Sequence, residues 1–329
     1  MDISRLKDKK VLITGANGLI GRALAAKLLS DCRANPIDVV ALVRNETKAK
    51  KVFCGLPEQH LEIFVCDICD LLPQDRKVDY IIHCASQTAS RKFVEEPVNV
   101  INDNFAGTKN ILEFARANDV KSVVYLSTME VYGAPSEESK ITESSPSELD
   151  TMSVRSCYPE SKRICECLCA SYASQYGVPA KVVRLTQTFG HGVEYSDKRV
   201  FAEFARSVIE KKNIVLKTKG ETKRNYLSVD DAVNAILTVL LDGKTGEAYN
   251  ASNEETYCSV YDMACMVCEK FGNEKIKVKI EESDISRFGY APTLKMNLSS
   301  EKLRAIGWRP KKSLTDMFSE TIEYMKKHK

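Results

Sequence analysis

Six short, largely apolar runs, separated by stretches with helical spacing, constrain this chain more than any other feature. The runs occupy residues 11–14, 39–43, 62–66, 80–84, 123–127 and 181–185. Between them, Leu19, Ile20, Ala23, Leu24 and Leu28 mark one amphipathic helix, and Ile111, Leu112 and Ala115 mark another. A strand that is apolar on both sides has no face to give to water, so it belongs in a parallel sheet covered by helices on both faces. The pattern predicts an α/β chain built on a doubly wound parallel sheet. Such sheets bind ligands beyond the carboxyl ends of their strands. Gly15, Asp67, Ala85 and Thr128 all lie at such ends, so residues far apart in sequence are expected to meet in one crevice.

The first run continues as Val11-Leu-Ile-Thr-Gly15-Ala-Asn17-Gly18-Leu19-Ile20-Gly21 and opens the first helix. Glycines let a backbone approach a pyrophosphate, and a helix N-terminus supplies amide donors and a positive dipole. A strand before and a helix after make this a dinucleotide loop of the Rossmann type. An acid at the end of the second strand would hold the ribose 2′-hydroxyl of NAD. Here the run ends in Arg44-Asn45, and an arginine pairs with the 2′-phosphate of NADP. The cofactor expected is NADP or NAD, with Arg44 favouring NADP. Asp67 and Ile68, after the third run, are placed to flank the adenine.

Tyr158-Pro-Glu-Ser-Lys162 sets a phenol and an ammonium four residues apart, on one face of a helix. A free tyrosine has a pKa near ~10 and is a poor base at neutral pH; a neighbouring cation favours its phenolate. With the glycine loop and a Ser127-Thr128 pair ending the fifth run, these residues describe a redox site.

Composition narrows the setting. A net charge of +3, with basic and acidic residues interspersed, predicts no nucleic-acid partner. No run approaches the ~20 apolar residues of a membrane span, and the polar first ten residues do not read as a signal peptide, so a cytoplasmic protein is expected. Twelve cysteines include Cys66/Cys69 and Cys265/Cys268 at metal-like spacing and a cluster at Cys165, Cys167 and Cys169. The two pairs sit in different surroundings, and the reading is reduced thiols used as small apolar side chains, with no metal. Cys157, beside Tyr158, is the thiol to test for reactivity. After about Gly190 the pattern loosens, with helices expected over 201–211 and 230–241 and a strand over 248–251; 136–153 reads as a long surface loop. Residues 1–189, with 226–252 returning, are expected to form the dinucleotide-binding domain, and 190–225 with 253–329 a smaller mixed α/β substrate-binding domain.

In combination, Thr14-Gly-Ala-Asn-Gly-Leu-Ile-Gly21, His83-Cys84-Ala85, Asn104-Phe-Ala-Gly-Thr-Lys-Asn110, Ser127-Thr-Met-Glu-Val-Tyr-Gly133, Tyr158-Pro-Glu-Ser-Lys162, Arg224-Asn-Tyr-Leu-Ser-Val-Asp-Asp231 and Gly307-Trp-Arg-Pro310 resemble the extended short-chain dehydrogenase/reductase family, in its nucleotide-sugar epimerase, dehydratase and decarboxylase group. Arg155-Ser-Cys-Tyr158, Thr188-Phe-Gly190 and Asp197-Lys-Arg-Val200 look most like UDP-glucuronate decarboxylases. Departures from that pattern are Arg44 in place of an aspartate, Gln187 in place of an asparagine and Met129 in place of a serine.

The resemblance implies that Tyr158 takes the proton of the sugar 4-hydroxyl while the hydride at that carbon passes to the nicotinamide. It implies that Lys162 depresses the Tyr158 pKa and holds the nicotinamide ribose, that Thr128 donates to the reacting oxygen, and that Ser127 is a second, weaker candidate donor. Cys84, Ala85, Ser86, Asn104 and Ser127 are implied as further cofactor contacts. Arg224, Arg199 and Gln187 are implied for the substrate diphosphate. Glu130, two residues beyond Thr128, points to chemistry at carbon 5, decarboxylation or dehydration, because a plain 4-epimerase needs no carboxylate there. His83 is read as structural. A 4-epimerase, an NADPH-dependent carbonyl reductase and an idle dinucleotide-binding regulator are the alternatives. Homodimerisation through 101–117 and the Tyr158 helix is the expected assembly.

Overall fold

The computed structural model of the chain describes residues 3–30, 34–73, 76–283 and 293–329. In chain order its strands are β1 Lys9–Thr14, β2 Ile37–Val43, β3 Leu61–Val65, β4 Tyr80–His83, β5 Ser122–Thr128, β6 Lys140–Ile141, β7 Ala180–Leu185, β8 Gln187–Phe189, β9 Ile214–Leu216, β10 Lys223–Ser228, β11 Ala248–Ala251, β12 Asn253–Ser259, β13 Val278–Ile280 and β14 Lys295–Leu298. Seven of them form one sheet in the order β11-β7-β5-β4-β1-β2-β3, and every neighbouring pair is parallel. The strand order reverses between β1 and β4, where loops leave toward opposite faces and open a crevice.

The sheet explains the apolar runs residue by residue. Val11 and Ile13 of β1 share a core with Leu24 and Leu28 of helix Leu19–Leu29 and with Ile236 and Leu240 of helix Val229–Asp242. Leu12 joins the opposite core, with Ile111 and Ala115 of helix Pro97–Ala117 and Cys165 and Cys169 of helix Cys157–Tyr176. β2 divides in the same way, Val39, Ala41 and Val43 to one side and Val40 and Leu42 to the other. Alternate residues feed two cores, so no polar residue interrupts the run.

A second sheet runs β12-β10-β14-β6, with β8 pairing on β10, and β9 pairs with β13. Phe189 and Tyr226 anchor its core against helices Val200–Glu210, Val260–Phe271 and Leu314–Lys327, through Phe201, Met263 and Phe318. The chain steps from one sheet to the other at Thr186, whose Oγ1 donates to the Asn225 carbonyl at 2.5 Å. The 136–153 segment is mostly irregular, but it carries β6 and is tied down where Gly133 bridges Glu148. Among the described residues, no helix is long and apolar enough to cross a membrane.

Candidate active site

The crevice at the carboxyl ends of β1, β4, β5 and β7 has a volume of about 730 Å³. Gly15, Asn17, Gly18, Leu19, Ile20 and Gly21 line it, with Arg44 after β2, Asp67 and Ile68 after β3, and Cys84, Ala85 and Ser86 at and beyond the end of β4. Asn104, Ser127, Thr128, Glu130, Tyr158, Lys162, Gln187 and Arg199 complete the wall. Arg224 stands behind Gln187, its NH1 3.5 Å from Gln187 Oε1, and does not reach the wall.

At one end the glycine loop is closed around its own backbone. Gly15 has φ +61°, and a Cβ there would sit 2.8 Å from Ala85 Cα. A Cβ on Gly21 would sit 2.5 Å from the Gly15 carbonyl oxygen, so this glycine lets the helix press onto the loop. The helix starts at Gly18 with no side-chain cap, and its first amides and positive end face the crevice. That arrangement fits a pyrophosphate. Farther along, Arg44 lies 3.9 Å from Asp67, both exposed. Lys48, which the sequence reading missed, lines the same rim 4.0 Å from Glu194, and Arg22 lies 3.8 Å from that carboxylate.

At the other end, helix Cys157–Tyr176 sets Tyr158 and Lys162 one turn apart, both buried. The Tyr158 ring stacks on Phe93, with centroids 4.4 Å apart and planes at 9°. Thr128 lies close enough to the phenol to pull its pKa down, and its Oγ1 accepts the Glu130 amide at 3.2 Å, capping the turn Met129–Tyr132. Lys162 Nζ donates to the Leu126 carbonyl at 2.9 Å and lies 5.9 Å from the Tyr158 ring centre. Burial lowers its pKa to about 8, against the opposing pull of Cys165, Cys84 and Glu166.

These contacts correct the expected electrostatics. Burial, and after it the Glu130 charge, push the Tyr158 phenol above its ordinary value, while Thr128 and Arg155 pull it down. The Lys162 ammonium is aimed at a carbonyl instead of the phenol, and desolvation outweighs the charges around the ring. Ser127 is corrected as a donor to a reacting oxygen. Its Oγ donates to Glu166 Oε1 at 2.5 Å, and Arg184 clamps that same carboxylate at 2.7 Å.

Glu130 Oε2 accepts from Arg155 NH1 at 2.7 Å, with both side chains about four-fifths buried. Asn104 accepts from Ser86 Oγ at 2.9 Å and donates to Ser161 Oγ at 2.8 Å, bracing the Tyr158 helix. His83 is structural. It contacts Thr14 Oγ1 at 2.7 Å and Thr108 Oγ1 at 3.2 Å, and burial, with Lys162 adding to it, lowers its pKa to about 3. Arg199 pairs with Asp197 at 2.5 Å. The Cys157 thiol is buried, donates to the Phe93 carbonyl at 3.3 Å and is pushed up by burial, which is the opposite of an activated thiolate. The described cysteines are all unpaired.

Comparison with known proteins agrees with this geometry. The model for the "NAD dependent epimerase/dehydratase family" matches residues 11–252. UDP-glucuronic acid decarboxylase 1 of Xenopus tropicalis is 28% identical over 328 residues, covering 99% of this chain and 74% of its own length. dTDP-D-glucose 4,6-dehydratase of Homo sapiens is 29% identical over 338 residues, covering 97% and 91%. Among solved structures, the UDP-glucose 4-epimerase of Thermotoga maritima with UDP-glucose aligns with a TM-score of 0.82 at 22% identity, over 97% of this chain and 99% of that one. DesIV, a dTDP-glucose 4,6-dehydratase of Streptomyces venezuelae with NAD bound, aligns at 0.80 and 23% identity, over 97% of each chain. The structural likenesses establish the fold, and the family match spans the chain from the glycine loop past the Tyr158 helix. The chain is an enzyme of the NAD dependent epimerase/dehydratase family.

Proposed function

We propose that the protein remodels the sugar of a nucleotide-linked substrate, by transient oxidation at carbon 4 followed by decarboxylation or dehydration at carbon 5, and regenerates its own cofactor. One observation carries this reading. Thr128, Glu130, Tyr158 and Lys162 line the same crevice as the uncapped glycine loop. Bound there, the oxidised nicotinamide supplies the hydride acceptor for carbon 4. Tyr158, which would give up its proton to become the phenolate once the cationic oxidised nicotinamide is bound beside it, takes the proton of the 4-hydroxyl. Thr128, beside the phenol, donates to the reacting oxygen. Lys162, with a pKa of about 8, is mostly cationic at neutral pH and would hold the nicotinamide ribose.

A ketone at carbon 4 acidifies the hydrogen on carbon 5 and makes an attached carboxylate labile. Glu130, two residues beyond Thr128 and open to the crevice, is the group for that second step. Arg199 and Gln187 are the groups for the diphosphate, and Arg224 acts only by holding Gln187. We assign residues 190–225 and 253–329 to holding the substrate and 1–189 with 226–252 to holding the cofactor. We read the protein as a cytoplasmic homodimer; unpaired thiols suit a reducing compartment.

Arg44, exposed at the adenosine end beside Lys48, favours NADP over NAD. It also favours the second reading, an NADPH-dependent carbonyl reductase, against which stand Arg199 and Gln187 in the crevice wall, since a simple carbonyl offers them no diphosphate. The deciding experiment incubates the protein with UDP-glucuronate and with dTDP-, GDP- and CDP-hexoses and assays carbon dioxide, 4-keto product and inverted sugar. Glu130→Gln is expected to stop at the oxidised sugar with reduced cofactor trapped. Full turnover by Glu130→Gln would replace carbon-5 chemistry with epimerisation, and net NADPH consumption on free carbonyls would replace both.

A further inference from the structure

We propose that Arg155 is a positioning residue that aims the Glu130 carboxylate into the crevice; the proposal rests on the carbon-5 reading above. Arg155 lies in the short turn Val154–Ser156 ahead of the Tyr158 helix, whereas Glu130 lies in the turn after β5. Their ion pair, NH1 to Oε2 at 2.7 Å, therefore ties together the two elements that carry Tyr158 and Thr128. Glu130 is part of the crevice wall, and this ion pair is how the arginine reaches it.

The arginine is itself held in place. Its guanidinium lies 5.6 Å over the Phe93 ring, and Phe93 stacks on Tyr158. Tyr158 and Cys157 also face Glu130 from the first turn of the helix, and burial keeps both protonated near neutrality, so Arg155 is the cation in this group. A charge-assisted bond of this length fixes direction as well as distance. It engages Oε2. Removing the arginine leaves a mostly buried carboxylate unpaired, and such a group rotates toward water or another donor.

The test compares Arg155→Gln, Arg155→Lys, Glu130→Gln and the Arg155→Gln/Glu130→Gln double variant with the wild type, on the nucleotide sugar the wild type turns over. Arg155→Gln is expected to keep KM within about twofold, to oxidise carbon 4, and to lose about 10²-fold in kcat with reduced cofactor accumulating, the cost of a misplaced group. Arg155→Lys, which keeps a cation at the site, is expected to recover at least about tenfold of that loss. Melting temperature gives a readout that needs no substrate. Arg155→Gln is expected to melt below the wild type and the double variant above Arg155→Gln, because the second change removes the orphaned charge. Wild-type kcat in Arg155→Gln, or carbon-4 oxidation lost in step with carbon-5 chemistry, overturns the proposal, as does a double variant no more stable than Arg155→Gln. Full turnover by Glu130→Gln instead brings down the carbon-5 reading, and the melting series still decides whether the pair is coupled.

Discussion

Burial sets the charge of individual residues around the crevice more strongly than their neighbours do. His83 is the clearest case, pushed from an ordinary 6.5 to about 3. A histidine that stays neutral when folded but protonates when unfolded contributes its full stability above pH 6.5 and loses it as pH falls toward 3. The slope is roughly 1.4 kcal/mol per pH unit. His83→Gln is therefore expected to close part of its stability gap with the wild type, by roughly 2 kcal/mol between about pH 7 and about pH 5, in urea unfolding curves. A gap independent of pH contradicts a neutral buried imidazole. Thr128, Tyr158 and Lys162 were legible in the sequence because their spacing is local to one strand end and one helix. Phe93 and Arg155 were not, since one lies in a four-residue helix and the other in a three-residue turn, and only tertiary packing brings them to Tyr158 and Glu130. The direction of the Tyr158 shift was also hidden, because desolvation depends on what covers the ring.

Elements differed in how much of themselves the sequence revealed. Most of the parallel strands announced themselves because they are buried on both faces; edge strand β3, with Glu62 and Val65 exposed, is the exception. β8, β10 and β12 did not; segments such as Lys223-Arg-Asn-Tyr-Leu-Ser228 have no clear period and gain their burial from the helices laid over them. β6, two residues inside a polar loop, is a strand only through its pairing with β14. The strand-to-helix turn at the cofactor end was legible, and its geometry carries a sharp prediction. A methyl on Gly21 would meet backbone at Gly15 and Ala16, within 2.5 and 2.7 Å, and neither can rotate aside. Gly21→Ala is expected to lift the helix from the loop, costing roughly 1–3 kcal/mol of stability. Cofactor affinity is expected to fall at least about tenfold, since the amide donors move with the helix. Calorimetric titration with NAD and NADP checks this, and unchanged affinity contradicts the cradle.

At the scale of the whole molecule, one surface is left apolar. Val98, Ile101 and Phe105 are 65, 43 and 39% exposed and follow one another at three- and four-residue intervals along helix Pro97–Ala117. Ile164, 43% exposed, lies on helix Cys157–Tyr176, which packs against it. A contiguous apolar stripe on paired helices suits a two-fold interface with a second copy. Phe105→Glu combined with Ile101→Glu is expected to yield monomers by light scattering, where the wild type is expected to give dimers. A monomeric wild type contradicts that assembly.

The central claim is that Tyr158 opens the reaction by releasing the hydrogen on carbon 4 of the sugar to the nicotinamide. It is tested most directly by mixing the cofactor-loaded enzyme with a nucleotide sugar deuterated at that carbon and weighing the cofactor released on quenching. Deuterium is expected on the nicotinamide in the wild type, in larger amount in Glu130→Gln, and not in Tyr158→Phe. Product formed by the wild type with no label on the cofactor, or label transfer undiminished in Tyr158→Phe, contradicts it.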